Sequence, residues 1–88
     1  MSNDVDKILE ERGSRYGKFK DHAYITQYYK DTMKPYSDKL SDSQKEALDM
    51  IFHKIGRILN GDPNYADSWV DIAGYAKLVV DELNGTIR

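Results

Sequence analysis

The sequence predicts an all-α fold: an antiparallel helical hairpin with one or two additional N-terminal helices, in a single domain over residues 1–88. Apolar residues recur at three- to four-residue intervals through most of the chain, and no alternating strand pattern competes with them. Glycine, proline or an Asn-Gly pair stands where each helical stripe runs out. No internal repeat or low-complexity tract interrupts this order.

Residues 1–3 are expected to be disordered. Val5, Ile8 and Leu9 then follow Asn3 or Asp4 as the N-cap, predicting a short first helix from about 4 to 11 or 12 that Gly13 stops. A second helix fits 19–33, where Phe19, His22, Ile25, Tyr29 and Met33 form an aromatic rather than aliphatic stripe, and Pro35 ends it. After the linker "KPYSDKL", Ser41 with Gln44, or Ser43 with Glu46, fits a capping box. The third helix, 42–60, carries the cleanest stripe: Ala47, Leu48, Ile51, Phe52, Ile55, Ile58 and Leu59, ending at Asn60-Gly61.

Asp62-Pro63 turns the chain into a fourth helix over 64–84, carried by Ala66, Trp69, Val70, Ile72, Ala73, Ala76, Val79, Val80 and Leu83, which ends at Asn84-Gly85. Trp69 shares its apolar stripe with Ile72 and Ala73 and is expected in the core. Gly74 costs up to about 1 kcal/mol of helix propensity, so a close helix approach is its expected purpose. A connection this short makes helices three and four antiparallel neighbours.

Composition sets the outer limits on function. A chain of 88 residues buries only roughly 60–65% of its unfolded surface. Without cysteine it has neither a disulfide framework nor a thiolate metal site. Seven tyrosines and Trp69 exceed what one hairpin covers, so a homo-oligomer is expected. Thirteen basic against 15 acidic residues, net −2, argue against a general nucleic-acid or membrane-surface binder. No apolar run reaches the ~18 residues of a membrane span, and "MSNDVDK" lacks a signal-peptide pattern, so a cytoplasmic protein is expected.

Two regions carry candidate chemistry. In the hairpin, Glu46, Asp49, His53 and Arg57 follow helical spacing beside Lys54, while Asp67, Asp71 and Tyr75 line one stripe of helix four. Pairing of Lys54 or Arg57 with Asp67 or Asp71 reads either as an inter-helix ion-pair network or as part of a ligand site. His53, four residues from both Asp49 and Arg57, reads as a hydrogen-bonded seam residue in preference to a general base. No catalytic residue is assigned: there is no cysteine, and no serine stands in a Gly-x-Ser-x-Gly elbow.

The second region is "ERGSRYGKFKDHA". Arg12, Arg15, Lys18 and Lys20 occur over 12–20 with no acid among them. Gly13 and Gly17 permit positive φ, so backbone amides can converge on an anion just before a helix N-terminus, with Arg15 and Lys18 as charge partners and Tyr16 flanking. The pattern is not a P-loop. The competing reading has Gly13 capping the first helix, Tyr16 and Phe19 packing over the hairpin, and the cations solvated.

Together with "HKIGRILNGDPNYADSWVDIAGYAKLV", this segment resembles a family of small bacteriophage proteins across nearly the whole chain. More distantly, the helix, Gly-Asp turn and acidic helix are similar to the MazG-type all-α nucleoside triphosphate pyrophosphohydrolases. In those enzymes facing Glu-x-x-Glu and Glu-x-x-Asp pairs hold magnesium against a triphosphate. Alignment on Gly61 and Asp62 puts Met50 and His53 at the first pair, and Ser68 or Asp67 with Asp71 at the second. A shifted register uses Glu46 and Asp49 with Asp67 and Asp71. Methionine and adjacent cations suit magnesium poorly.

The resemblance therefore implies a degenerate scaffold in the host cytoplasm that binds, and sequesters, a nucleotide or other phosphate-bearing ligand. Arg12, Arg15, Tyr16, Lys18, His53, Lys54, Arg57, Asp67 and Asp71 are its candidate contacts. No cofactor is expected, magnesium entering only if the chain is an active pyrophosphohydrolase. The remaining alternative is an inhibitor of a host or defence protein acting through the tyrosine-rich second helix.

Overall fold

The computed structural model describes residues 3–88, and all its regular elements are helical. They are α1 (Asn3–Tyr16), α2 (Phe19–Met33), a 3₁₀ segment (Lys34–Lys39), α3 (Asp42–Asn60) and α4 (Ala66–Leu83). The disorder expected for residues 1–3 concerns Met1 and Ser2, which lie outside the described residues, and Asn3, which opens α1.

α1 runs four residues past the expected limit, because Gly13 is accommodated inside the helix and Gly17 ends it. Pro35 stops α2 as expected, and the linker tightens into the 3₁₀ segment. Of the two capping boxes, Ser41 with Gln44 is the one made: Gln44 N–H donates to Ser41 Oγ at 3.1 Å, and Ser41 N–H donates to Gln44 Oε1 at 2.9 Å. At the turn between α3 and α4, Asn64 N–H donates to Asp62 Oδ1 at 2.9 Å, an Asx turn ahead of α4.

α3 is the central element, packed against α4 on one side and against α2 and α1 on the other. Asp42, Ser43 and Glu46 lie beside Leu78, Val79 and Glu82, while Lys54 reaches Asp71, so α3 and α4 run antiparallel. On the second layer Tyr29 of α2 stacks on Phe52 of α3, with ring centroids 4.9 Å apart and planes 9° from parallel.

The core is thinner than the apolar stripes imply. Ala47 is the only buried hydrophobic residue among those described, beside buried His22, Thr26, Ser68 and Asp81. α4 turns Ser68, Ile72, Tyr75 and Val79 inward. Trp69, expected in the core, is 54% exposed and held by its indole N–H, which donates to Pro63 O at 2.9 Å; Ala73 is also exposed. The expectation for Gly74 is likewise corrected, because a Cβ there would meet nothing within 4 Å. Gly74→Ala is therefore expected to stabilise the protein by about 0.5–1 kcal/mol, raising Tm by roughly 2–8 °C in a thermal melt.

Candidate functional site

The site is built where two chain corners cross. Gly17, at φ +78°, ends α1 in the left-handed region, and its N–H donates to Gly13 O at 3.0 Å. The last carbonyls of α1 are not left to water. Asp62 N–H donates to Arg15 O at 2.7 Å, and Asn60 Nδ2 donates to Tyr16 O at 2.8 Å and to Lys18 O at 2.9 Å. The corner between α1 and α2 is thus latched to the corner between α3 and α4. The backbones are so close that a Cβ on Gly61 would lie 2.0 Å from Arg15 O.

This latch lays the end of α1 on the end of α3 and stacks four side chains. The Arg57 guanidinium sits 4.1 Å from the Tyr16 ring centroid. Tyr16 meets Tyr65 edge-on at 6.2 Å, and Arg15 lies 4.5 Å from the Tyr65 centroid. Tyr65 O–H in turn donates to Asp67 Oδ2 at 2.9 Å, which raises the phenol's pKa above its ordinary value.

On the far side of Tyr16 opens a cleft of about 290 Å³, lined by Leu9, Arg12, Gly13 and Tyr16 of α1, Phe19 and His22 of α2, and His53 and Arg57 of α3. None of these residues is acidic. Among the described residues no carboxylate lies within ion-pair distance of Arg12 or Arg57. The cleft therefore combines two guanidinium groups with aromatic and apolar walls, a chemistry suited to an anion carrying a flat or apolar body.

Two histidines form its floor. His22 Nε2 and His53 Nδ1 are 3.2 Å apart, sharing one proton between neutral rings whose centroids lie 4.5 Å apart. His22 is 6% exposed, and its Nδ1 is buried against Gly56 without a hydrogen-bond partner. Burial, and then the Arg57 charge, hold His22 below the ordinary histidine pKa. Burial, His22, Arg57, Lys54 and Lys30, in that order, push His53 down to about 4. Both rings are consequently neutral near pH 7, and His53 is hydrogen-bonded on the α2 side of α3 and not at the seam between α3 and α4.

Of the nine candidate contacts, Arg12, Tyr16, His53 and Arg57 meet at this cleft. Arg15 points instead to Tyr65 and to Glu11, 3.7 Å away, and Lys18 supplies a backbone carbonyl to the latch. Lys54 pairs with Asp71 at 2.9 Å, the inter-helix ion pair that the sequence suggested, while Asp67 serves Tyr65. Among the described residues no three His, Asp or Glu side chains converge as a metal would require, so Glu46, Asp49, Asp67 and Asp71 do not come together in the shifted register that the pyrophosphohydrolase alternative needs. His22, Phe19 and Leu9 were not read as site residues. His22 and Phe19 lie on the predicted α2 stripe and Leu9 on that of α1, but nothing in the sequence pointed them at α3.

A family model described as Domain of unknown function (DUF6378) matches residues 2–82. No curated protein and no solved structure matches the chain significantly.

Proposed function

The chain belongs to the DUF6378 family, and from that premise we propose that it binds a phosphate-bearing small molecule, a nucleotide foremost, in the cleft between α1, α2 and α3. The observation that carries this reading is the pair of carboxylate-free guanidinium groups, Arg12 and Arg57, facing a cavity walled by Tyr16 and Phe19. The phosphate pairs with the guanidinium groups, and a base stacks on an aromatic ring. Sequestration, encoding by a phage, location in the host cytoplasm and descent from a MazG-like scaffold belong to the same proposal. Pyrophosphohydrolysis is the weaker version, because Lys54 already neutralises Asp71 and the carboxylates lie apart.

A protein-inhibitor role is supported by one observation: Tyr24 and Tyr28, 72% and 63% exposed, border a shallow surface with Leu59 on the outer side of α2. A calorimetric titration with pyrophosphate and a nucleotide panel, with and without magnesium and at two salt concentrations, separates these readings. The wild type is expected to bind, more weakly at high salt. Arg12→Ala is expected to weaken binding roughly ten- to a hundred-fold without a loss of Tm, since Arg12 is exposed and serves no contact in the latch. Arg15→Ala is expected to bind as the wild type does. No binding by the wild type ends the ligand reading and favours the protein partner; turnover of a triphosphate with magnesium favours the enzyme.

A further inference from the structure

On α4, Val70 and Leu78 are exposed on other faces of the helix, but the remaining uncovered apolar positions fall on one line. Ala66, Trp69, Ala73, Ala76, Val80 and Leu83 are all exposed, and their spacings of three, four, three, four and three residues form an unbroken heptad seam. The seam lies about a quarter-turn from the Ser68, Ile72, Tyr75 and Val79 stripe that faces α3, so the same chain cannot cover both.

The exposed area states how much is missing. The chain presents 6719 Å², whereas a folded monomer of 10.2 kDa presents about 5,300 Å². The surplus of roughly 1,400 Å² per chain matches the share each subunit buries in an obligate homodimer.

We infer that α4 pairs with α4 of a second copy, antiparallel across a two-fold axis that passes between Ala73 and Ala76. The residue sizes select that direction. In this register Ala66 opposes the partner's Leu83, Trp69 opposes the partner's Val80, and Ala73 opposes the partner's Ala76. Small side chains meet at the centre, and the indole meets a smaller group at either end. Parallel pairing would set Trp69 against Trp69 beside an Ala–Ala layer, forcing the helices apart where the alanines need them close. The two-fold places each interaction twice, and the α4 dipoles run opposite to one another. Nothing in this assembly depends on the anion cleft, which lies on the other side of α3.

Sedimentation equilibrium from 1 to 100 μM should show a dimer that dissociates on dilution, with the emission of the single tryptophan, Trp69, shifting to the red as it does. Ala73→Glu sets two like charges at the axis and should raise the dissociation constant on the order of a hundredfold or more while the helical circular-dichroism spectrum persists. Should that variant unfold, the cysteine-free chain offers a second test. Ala66→Cys and Leu83→Cys proteins, mixed and mildly oxidised, should form the mixed disulfide, and neither alone should cross-link. A wild type monomeric at 100 μM, an Ala73→Glu protein that remains dimeric, or homodisulfides from each single-cysteine protein would overturn the inference.

Discussion

Gly61→Ala is expected to lower stability by more than about 3 kcal/mol, a drop on the order of 15 °C in Tm or failure to fold. The added methyl would sit 2.0 Å from Arg15 O, 2.4 Å from Tyr16 Cα and 2.7 Å from Arg15 C, all backbone atoms at the end of a helix. No rotamer change relieves such a contact. The two corners must separate, and separation removes the Asp62 N–H bond to Arg15 O and both Asn60 bonds to the 16–18 carbonyls. Two half-buried acceptors, Arg15 O and Tyr16 O, then lose their donors at about 1 kcal/mol or more each, while the exposed Lys18 O turns to water.

Gly17→Val should have a comparable effect through two causes together. A side chain at φ +78° is strained, and its Cβ would meet Asn60 O at 2.2 Å. Gly13→Ala is the control: it sits in the helix with nothing within 4 Å, so the same kind of change there should be neutral or stabilising. Thermal melts of the three variants check this. A Gly61→Ala protein as stable as the wild type would mean that the corners are not in contact in solution.

The latch also explains what the sequence could and could not disclose. Helix periodicity placed α2 and α3 to the residue and α4 within two, because their ends are marked by proline, a capping box and Asn-Gly, all local signals. The end of α1 was misplaced because Gly13 and Gly17 are equally good local stops. What chooses Gly17 is Asn60 reaching across from more than 40 positions away, and no short-range pattern encodes that bond. The same limit applies to the site. Asn60-Gly61 was legible as a helix stop, but its second task, receiving the carbonyls of α1, was not. The basic run over 12–20 was legible as a cluster, yet only Arg12 among its cations reaches the cleft, since a helical α1 fans its side chains around the axis rather than lining them along a loop. Trp69 was misread for a related reason. Periodicity identifies an apolar stripe, and α4 has two adjoining ones, of which the less apolar, with Ser68, faces α3.

Acidification is expected to destabilise the protein between pH 6.5 and 4, and the histidine pair sets that window. In the unfolded chain both histidines titrate near 6.5, whereas in the folded chain His22 is held lower and His53 is pushed down to about 4. Above pH 6.5 neither state binds the proton and stability is flat. As the pH falls below 6.5 the unfolded chain takes up protons that the native state refuses, so stability declines until His53 itself protonates near 4. A full separation of this size corresponds to about 3 kcal/mol for His53, and solvent reaching its partly exposed ring reduces that to about 2 kcal/mol, roughly 10 °C in Tm. The Asp81 carboxyl, held below the usual carboxylate range by its hydrogen bond to Lys77 and by Arg88 at 2.8 Å, contributes in a separate interval. Its stabilisation is present above an unfolded pKa of 3.8 and is lost as the pH falls below it. Measurements at pH 7, 6 and 5 therefore isolate the histidines. His53→Gln should make the slope across those three points shallower, leaving the part due to His22, because glutamine carries no proton to refuse, while a wild-type-like slope in that variant would place the acid-sensitive group elsewhere. The same pair gives the proposed anion binding a pH signature. Burial is the larger cause of His53's low pKa and stays in place, but an anion between Arg12 and Arg57 offsets the smaller Arg57 contribution, so binding should raise the pKa of the pair slightly and tighten modestly as the pH falls from 7 to 5.5, read as proton uptake in calorimetry across buffers of different ionisation enthalpy.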